Sequence, residues 1–255
     1  MSYHHTPPSQ LNDPSMHSGP QLLVDGYISQ CFGSKSAEGH FSCVLKTRPF
    51  RASPCVVRGH VYFVVTAVPP YIFYLFPNQP SWVIDRAVVG YGTVIPQTLW
   101  VPHTATDQRQ HVVEAELQMP IFFEGVNGRL GLSLEAASTG RCNDLLNAQG
   151  HAPLGLKSTT HIRIGWPGYV EFKRQVQTRD ETSQRNPITI FRFAYHIGRS
   201  VDAFLKTCQP DPGAHHPRWL IGEGAISPRD IVIIGAIHVS SGSWMPILQM
   251  NRYIF

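Results

Sequence analysis

The chain has 255 residues, 42% hydrophobic and 11% aromatic, and can therefore bury a core of ordinary size. Only 15% of the residues are charged and the net charge is +4, an excess too mild to argue by itself for a nucleic-acid or membrane-surface contact. No apolar run approaches the roughly 18 residues of a membrane-spanning helix, and no signal-peptide pattern is visible. We therefore expect an intracellular protein, cytoplasmic or nuclear, without a membrane partner.

The N-terminal residues 1–20 are rich in Pro, Ser and His and contain almost nothing apolar, which predicts a disordered tail. We expect a single β-rich domain over residues 21–255. At its start, residues 22–24 and 41–45 are short apolar runs typical of strands, with a polar loop over 33–39 between them.

The next part of the chain contains two runs, 61–65 and 71–76, that are aromatic and β-branched without polar interruption. Such runs predict strands that are covered on both faces. Residues 82–84 predict a further short strand. Alternation of apolar and polar residues over 112–119 predicts a strand with one solvent-exposed face.

The Asn127-Gly128 pair lies between two apolar segments, 121–124 and 130–134. Because Asn-Gly favours the tight turns that join antiparallel strands, these segments predict a β-hairpin. Residues 137–160 then predict a loop with at most one helical turn, at 143–147.

A strand, turn and second strand are predicted over residues 161–173. Apolar residues alternate with polar ones from Ile162 to Trp166, as expected for a strand with one buried face. Trp166-Pro167-Gly168-Tyr169 has Pro and Gly where a type II turn requires them. The alternation resumes over residues 170–173.

One long amphipathic helix is predicted over about residues 187–207. Asn186-Pro187 supplies an N-cap residue followed by Pro at the first helical position. Apolar residues then recur at three- and four-residue spacing, which is typical of a helix with one buried face. These residues are Ile190, Phe193, Ala194, Ile197, Val201, Phe204, Leu205 and Cys208.

The C-terminal part predicts a central strand at 231–239, a turn at 240–243 and a last strand over 244–255. Together the segments predict an α+β chain that is mostly β. We expect a twisted antiparallel or mixed sheet, or a sandwich, of about ten short strands with the long helix packed on one face.

The strongest candidate for a binding site is the polar face of the predicted helix and the segment before it. Residues 171–206 contain seven Lys and Arg against four acids and so carry +3 of the net +4. A cationic helix face can bind phosphate or nucleic acid; the alternative is a solvated face with local pairs such as Asp202–Lys206. The candidate anion-binding residues are Lys173, Arg179, Arg192, His196, Arg199 and Lys206.

Known catalytic and nucleotide-binding motifs are absent, so the sequence predicts no cofactor and identifies no catalytic residue. Cys208, His215 and His216 are candidate zinc ligands, although zinc sites normally show closer cysteine spacing. The alternative is a Pro-rich surface loop. His238 lies inside an apolar run, where either a core histidine or a catalytic one is consistent with the pattern. The five cysteines form no CxxC pair, which favours buried reduced thiols.

Three phrases of the chain are distinctive: Gly165-Trp166-Pro167-Gly168-Tyr169, Asn186-Pro187-Ile188-Thr189, and the run from His238 to Trp244. They resemble phrases in small uncharacterised proteins that are abundant in mushroom-forming (basidiomycete) fungi. The resemblance covers roughly the C-terminal ninety residues and implies a fungal intracellular protein. It transfers no catalytic residue, because that family has no established activity.

The sequence is therefore consistent with three functions. The first is a non-catalytic interaction or regulatory module whose partner is another protein, contacted through the tail and the aromatic and Pro-rich loops. The second is a nucleic-acid or phosphate-binding protein that uses the cationic helix face. The third is an enzyme whose site is assembled from distant residues near His238.

Overall fold

The structure is a computed structural model that describes residues 26–46, 52–57, 60–65, 73–76, 79–90, 92–214 and 216–252. The predicted tail, the predicted strand at 22–24 and residues 253–255 lie outside these ranges.

Within these ranges, ten strands form two sheets. The smaller sheet is antiparallel and has the order β1-β2-β4-β3, which makes β2 an inner strand and places β3 at one end of the order. The two uninterrupted apolar runs of the sequence thus do form strands. The elements are β1 (Ala52–Val57), β2 (His60–Val65), β3 (Phe73–Phe76) and β4 (Gln79–Arg86).

The larger sheet is mixed and has the order β5-β9-β10-β7-β8, with β6 also paired to β9. The β10–β7 pair is parallel and the other pairs are antiparallel. The two longest strands, β9 and β10, are inner strands, as the apolar run at 231–239 predicted. The elements are β5 (Ile121–Phe122), β6 (Leu132–Ser133), β7 (Thr159–Ile164), β8 (Phe172–Gln177), β9 (Ile231–Ser240) and β10 (Ser243–Met250).

In the part of the chain that the structure describes, five α-helices accompany the sheets, where the sequence had predicted a single long one. They are α1 (Tyr27–Phe32), α2 (Ser34–Lys46), α3 (Ala105–Gln108), α4 (Leu134–Thr139) and α5 (Ile190–Thr207). The fold is therefore α+β with substantial helix content. None of the helices in the described ranges combines the length and apolar character that a bilayer crossing requires.

The larger sheet has a hydrophobic cluster on each face, so it forms the middle of three layers. On β10, Trp244 and Leu248 belong to the cluster that contains α4 and α5, while Met245 and Ile247 belong to the cluster that contains α1 and α2. Because successive strand residues point to opposite faces, an inner strand with both faces buried must be apolar throughout. This requirement explains the apolar runs at 231–237 in β9 and 244–248 in β10.

The predicted long helix is confirmed, but its first residue is Ile190. The hydroxyl of Thr189 accepts a hydrogen bond from the N–H of Arg192 and caps the helix. Pro187 is instead in a β-bridge with Arg179, so it precedes the helix. The N-cap is thus Thr189, three residues after the predicted Asn186. The predicted N-cap was wrong because the sequence contains a second residue that can cap a helix at this later position.

Two predicted strands were wrong. Residues 41–45 belong to α2, whose buried residues Ala37, Phe41 and Val44 follow helical spacing. A short apolar run does not distinguish a strand from a buried helix segment, and this one was assigned to the wrong class. Residues 109–113 form one turn of π-helix that continues α3, followed by irregular chain. The hydroxyl of Thr104 caps α3, a start signal that the strand prediction overlooked.

Two predicted turns are confirmed. Around Asn127-Gly128, the chain reverses between Glu124 and Leu130, which form an antiparallel bridge. At the second turn, the N–H of Tyr169 donates to the carbonyl of Trp166 (3.1 Å), and Gly168 has φ +83°, as a type II turn requires. The segment predicted as loop from 137 onwards begins as the last turn of α4.

Helix α4 lies very close to α5 at Gly198. A Cβ atom at this position would come within 2.6 Å of the backbone at Ala137 and Ser138. Because real Cβ contacts are longer, the two helices can approach this closely only where α5 has no side chain. Gly198 therefore determines how α4 sits along α5.

We expect the substitution Gly198→Ala to lower the free energy of unfolding by about 1–3 kcal/mol through overpacking. The gain in helix propensity, about 1 kcal/mol, does not offset the required backbone shift. Urea denaturation measures the difference. Gly39→Ala in α2 is the matched control, because no atom lies within 4 Å of its added methyl group; this variant should be more stable by about 0.5–1 kcal/mol. Equal gains from both substitutions would contradict the close helix contact.

Asp85 of β4 connects the smaller sheet to α1. Its Oδ1 accepts the N–H groups of Ile28 (3.1 Å) and Arg86 (2.8 Å), while Oδ2 is buried without a hydrogen-bond partner. Burial raises the pKa of Asp85 from 3.8 to about 7, against the smaller effect of these hydrogen bonds, which favour the charged form. The carboxyl group thus caps α1 from a distant strand at a cost in desolvation.

We expect protein stability to depend on this carboxyl group between about pH 4 and pH 7. In that window the folded protein keeps a proton that the unfolded chain has released, so the contribution of Asp85 is lost as the pH rises. Asp85→Asn keeps an oxygen acceptor and carries no charge. The variant should melt at a higher temperature than the wild type at pH 8 and show a clearly smaller gain at pH 5. A gain that is equal at both pH values would contradict the assignment.

Candidate functional site

Helix α5 separates its apolar and cationic residues onto two faces, as the sequence predicted. Arg192, Arg199 and Lys206 are exposed on the opposite side from the buried residues. The two faces follow from residue spacing, since positions three and four apart lie on the same side of a helix. The buried face consists of Phe193, Ala194, Ile197, Gly198, Ser200, Val201 and Phe204.

Strand β8 adds a third arginine to the exposed face of α5. Phe172 packs against Phe204 with ring centroids 5.8 Å apart, so this face of β8 is turned towards the helix. Two residues further along the same face, Arg174 donates from Nη1 to the backbone carbonyl of Arg199 (3.0 Å). This hydrogen bond anchors the guanidinium group of Arg174 beside the helix.

His196 lies between these arginines and is half-buried. Burial, together with the positive charges of Arg192 and Arg174, lowers the pKa of His196 from 6.5 to about 4. The imidazole is therefore neutral at physiological pH. We refer to Arg174, Arg192, His196 and Arg199 as the cationic surface. In the described part of the chain, no carboxylate forms an ion pair with any of its three arginines.

Tyr195 is a partly exposed aromatic residue within the cationic surface. The guanidinium carbon of Arg192 lies 5.1 Å from the centroid of its ring, and the ring of His196 lies 6.0 Å away. Gly140, at the end of α4, packs beside the same ring. The surface therefore combines guanidinium groups with an aromatic ring, which charge counting alone did not predict.

Three of the predicted anion-binding residues are placed elsewhere or are already in an ion pair. Lys173 precedes Arg174 on β8 and so points to the opposite face of the sheet. Arg179 is bridged to Pro187, before the helix, and donates to the carbonyl of Gly155 (2.9 Å), not to a group of α5. Lys206 forms an ion pair with Asp202 (2.7 Å). The structure thus brings together Arg192, His196 and Arg199 from the predicted set and adds Arg174. Alternation along β8 from Phe172 could have identified Arg174.

The predicted zinc ligands stay a prediction, because His215 lies outside the described residues. The Sγ of Cys208 is 3.7 Å from the carbonyl of Leu205, and burial raises the pKa of this thiol. No group of three or more His, Cys, Asp or Glu side chains suited to a metal occurs in the part of the chain that the structure describes. Cys31, Cys43, Cys142 and Cys208 are free thiols.

His238 is buried in the larger sheet. The N–H of Gln118 donates to its Nδ1 (2.9 Å), and its ring stacks on Trp244 with centroids 4.7 Å apart. Burial, assisted by the nearby His40 and Lys157, lowers the pKa of His238 to about 3. A neutral imidazole with a backbone donor on one nitrogen and a stacked indole fits a core histidine. This arrangement supports the structural interpretation of His238.

A polar network at the β9–β10 turn is a second cluster that the sequence did not predict. The hydroxyl of Ser241 lies 3.1 Å from Nδ1 of His111 and 3.2 Å from Nζ of Lys157. The N–H of Ser241 also donates to the carbonyl of His111 (2.8 Å). Lys157 is exposed. The network links the turn to two segments that are distant in sequence.

We expect His238 to contribute to unfolding in acid. Its folded-state pKa of about 3 lies below the usual 6.5, so the unfolded chain binds a proton that the folded protein does not. Stability should therefore fall as the pH drops from 6.5 towards 3. His238→Asn places an oxygen near the position of Nδ1 and removes the titration. The slope of stability against pH between 6 and 4 should decrease by about 1.4 kcal/mol per pH unit. Urea denaturation at several pH values measures it, with His103→Asn at an exposed position as the control; an unchanged slope would contradict the role.

Comparison of the chain with models of protein families, with curated proteins and with solved structures found no match.

Proposed function

We propose that the protein is a non-catalytic binding protein whose ligand is nucleic acid, held through phosphate groups on the cationic surface. The observation that carries this proposal is the hydrogen bond from Arg174 to the carbonyl of Arg199, which brings a strand arginine beside two helix arginines. Arginine suits phosphate because its guanidinium group can donate two parallel hydrogen bonds to phosphate oxygens.

The spacing of the arginines supports an extended polyanion over a single phosphate. Arg192 and Arg199 are seven residues apart on α5, which corresponds to about 10 Å along the helix axis. Two side chains that start this far apart suit successive phosphates of a nucleic acid better than a single phosphate group. Arg174 broadens the surface sideways from Arg199.

The absence of paired carboxylates around the described cationic surface also supports the proposal. An arginine in an ion pair must lose that partner before it binds a phosphate, and no such loss is required here. Since no carboxylate of the described residues pairs with the three guanidinium groups, solvent ions neutralise them in the free protein. Release of those ions on binding makes the affinity depend strongly on salt.

The other two hypotheses have less geometric support. A protein partner was expected through the N-terminal tail and the aromatic loops, and that prediction stays open. An enzyme site near His238 was the third hypothesis, and the buried, stacked ring favours a structural role. We propose the cytoplasm or nucleus as the compartment, since nucleic acid is available in both.

The proposal predicts different effects for two neighbouring residues of β8. Arg174→Glu should weaken binding of a labelled oligonucleotide at least about 10-fold, because it places a carboxylate within the cationic surface. Lys173→Glu is the matched control, since it makes the same change of charge on the opposite face of the sheet. Fluorescence anisotropy over a range of salt concentrations measures both variants.

For the wild type, the logarithm of the binding constant should fall with the logarithm of the salt concentration, with a slope of about −2 to −3 for three phosphate contacts. Arg199→Glu should reduce that slope by about 1. Circular dichroism checks that each variant is folded. Equal weakening by Lys173→Glu and Arg174→Glu would show a general charge effect and contradict the proposed site, as would a wild-type affinity that does not respond to salt.

A further inference from the structure

We infer that the nucleic acid is single-stranded and that one of its bases stacks at Tyr195. This inference rests on the proposed function and adds the class of ligand. Its basis is the position of a partly exposed aromatic ring among the arginines, 5.1 Å from the guanidinium carbon of Arg192. Surfaces that bind single strands combine such rings with cations, because each base has a face that can stack.

The packing of α5 argues against a duplex ligand. A helix that reads duplex DNA enters the major groove and must therefore protrude from its domain. α5 is covered on one flank by α4, which touches it at Gly198, and on the other by β8, which touches it at Phe204 and Arg199. Only a strip of its surface is free. A strip of this kind can accept a single strand laid across it but cannot enter a groove.

The immediate surroundings of Tyr195 complete a stacking site. Arg192 lies over the ring of Tyr195, with its guanidinium carbon 5.1 Å from the centroid. Because guanidinium planes stack on bases as aromatic rings do, a base can stack in line with these two groups. His196 contributes a second, uncharged ring 6.0 Å from Tyr195. Because neither ring carries charge, the contacts they offer depend on the base and not on the phosphate. The two kinds of contact can therefore be separated experimentally.

The test compares three labelled ligands of equal length: an oligothymidylate, the same strand with abasic positions, and a duplex. The wild type should bind the oligothymidylate most tightly. Tyr195→Leu should weaken that binding by roughly 5- to 150-fold, whereas Tyr195→Phe should bind within about 2-fold of the wild type. Tyr195→Leu should leave binding of the abasic strand unchanged, because that ligand offers no base for stacking.

Two outcomes overturn the inference. One is a duplex that binds as tightly as the oligothymidylate, and the other is a Tyr195→Leu variant that weakens abasic and complete strands equally. Arg199→Glu distinguishes these failures from failure of the proposed function. If Arg199→Glu weakens all three ligands while Tyr195→Leu weakens none, the surface binds phosphates without stacking. If Arg199→Glu weakens none of them, the cationic surface is not the site.

Discussion

Burial of the apolar face of α5 is the interaction on which the rest of the site depends. Phe193, Ile197, Val201 and Phe204 are all fully buried against the larger sheet and α4. At about 1.5–3 kcal/mol for each large side chain, this contact is a main source of stability for that half of the molecule. Since a helix has a fixed periodicity, burying these residues also determines which residues face outwards. The position of Arg192 and Arg199 is therefore a consequence of the core, and neither arginine needs a partner to be held on the surface.

The electrostatics of the surface follow from this arrangement. Three like charges lie close together, and a fourth is avoided because burial keeps His196 neutral. Repulsion between exposed arginines is modest because water and salt screen it. It is nevertheless a cost that the folded protein carries in the free state and that an anionic ligand would remove. The hydrogen bond from Arg174 to a carbonyl of α5 maintains this repulsion, because it holds the guanidinium group of Arg174 beside the helix arginines.

How far the sequence predicts this site depends on which residue is considered. The face of α5 that carries Arg192 and Arg199 follows from the spacing of apolar residues alone. The choice between Lys173 and Arg174 does not, because a shift of one residue in strand register exchanges the two faces. β8 is polar or partly exposed on both sides, so its pattern identifies the buried face only through Phe172 and Val176.

Tyr195 was overlooked for a different reason: charge counting contains no information about where an aromatic ring lies. The missed helix α2 reflects the ambiguity of short apolar runs, since Ala37, Phe41 and Val44 fit helical spacing only when the whole segment is considered.

Pairing elsewhere in the molecule sets the cationic surface apart. Six cations of the described residues are in ion pairs, and the carboxylate lies within 3.1 Å in each case. Arg163 illustrates the difference, because it is on the other face of the larger sheet, pairs with Glu171 and lies 3.6 Å from the centroid of the Trp100 ring. The charge of Arg163 is thus neutralised by a carboxylate, and the face of its guanidinium group is covered by an aromatic ring. Among the described residues, Arg192 contacts the Tyr195 ring, and Arg199 offers its carbonyl to Arg174 while its own guanidinium group stays exposed. Arginine is thus paired with a carboxylate at Arg163 and unpaired, within the described residues, on the cationic surface. The distribution of acids, rather than the number of bases, is what supports the proposed binding face.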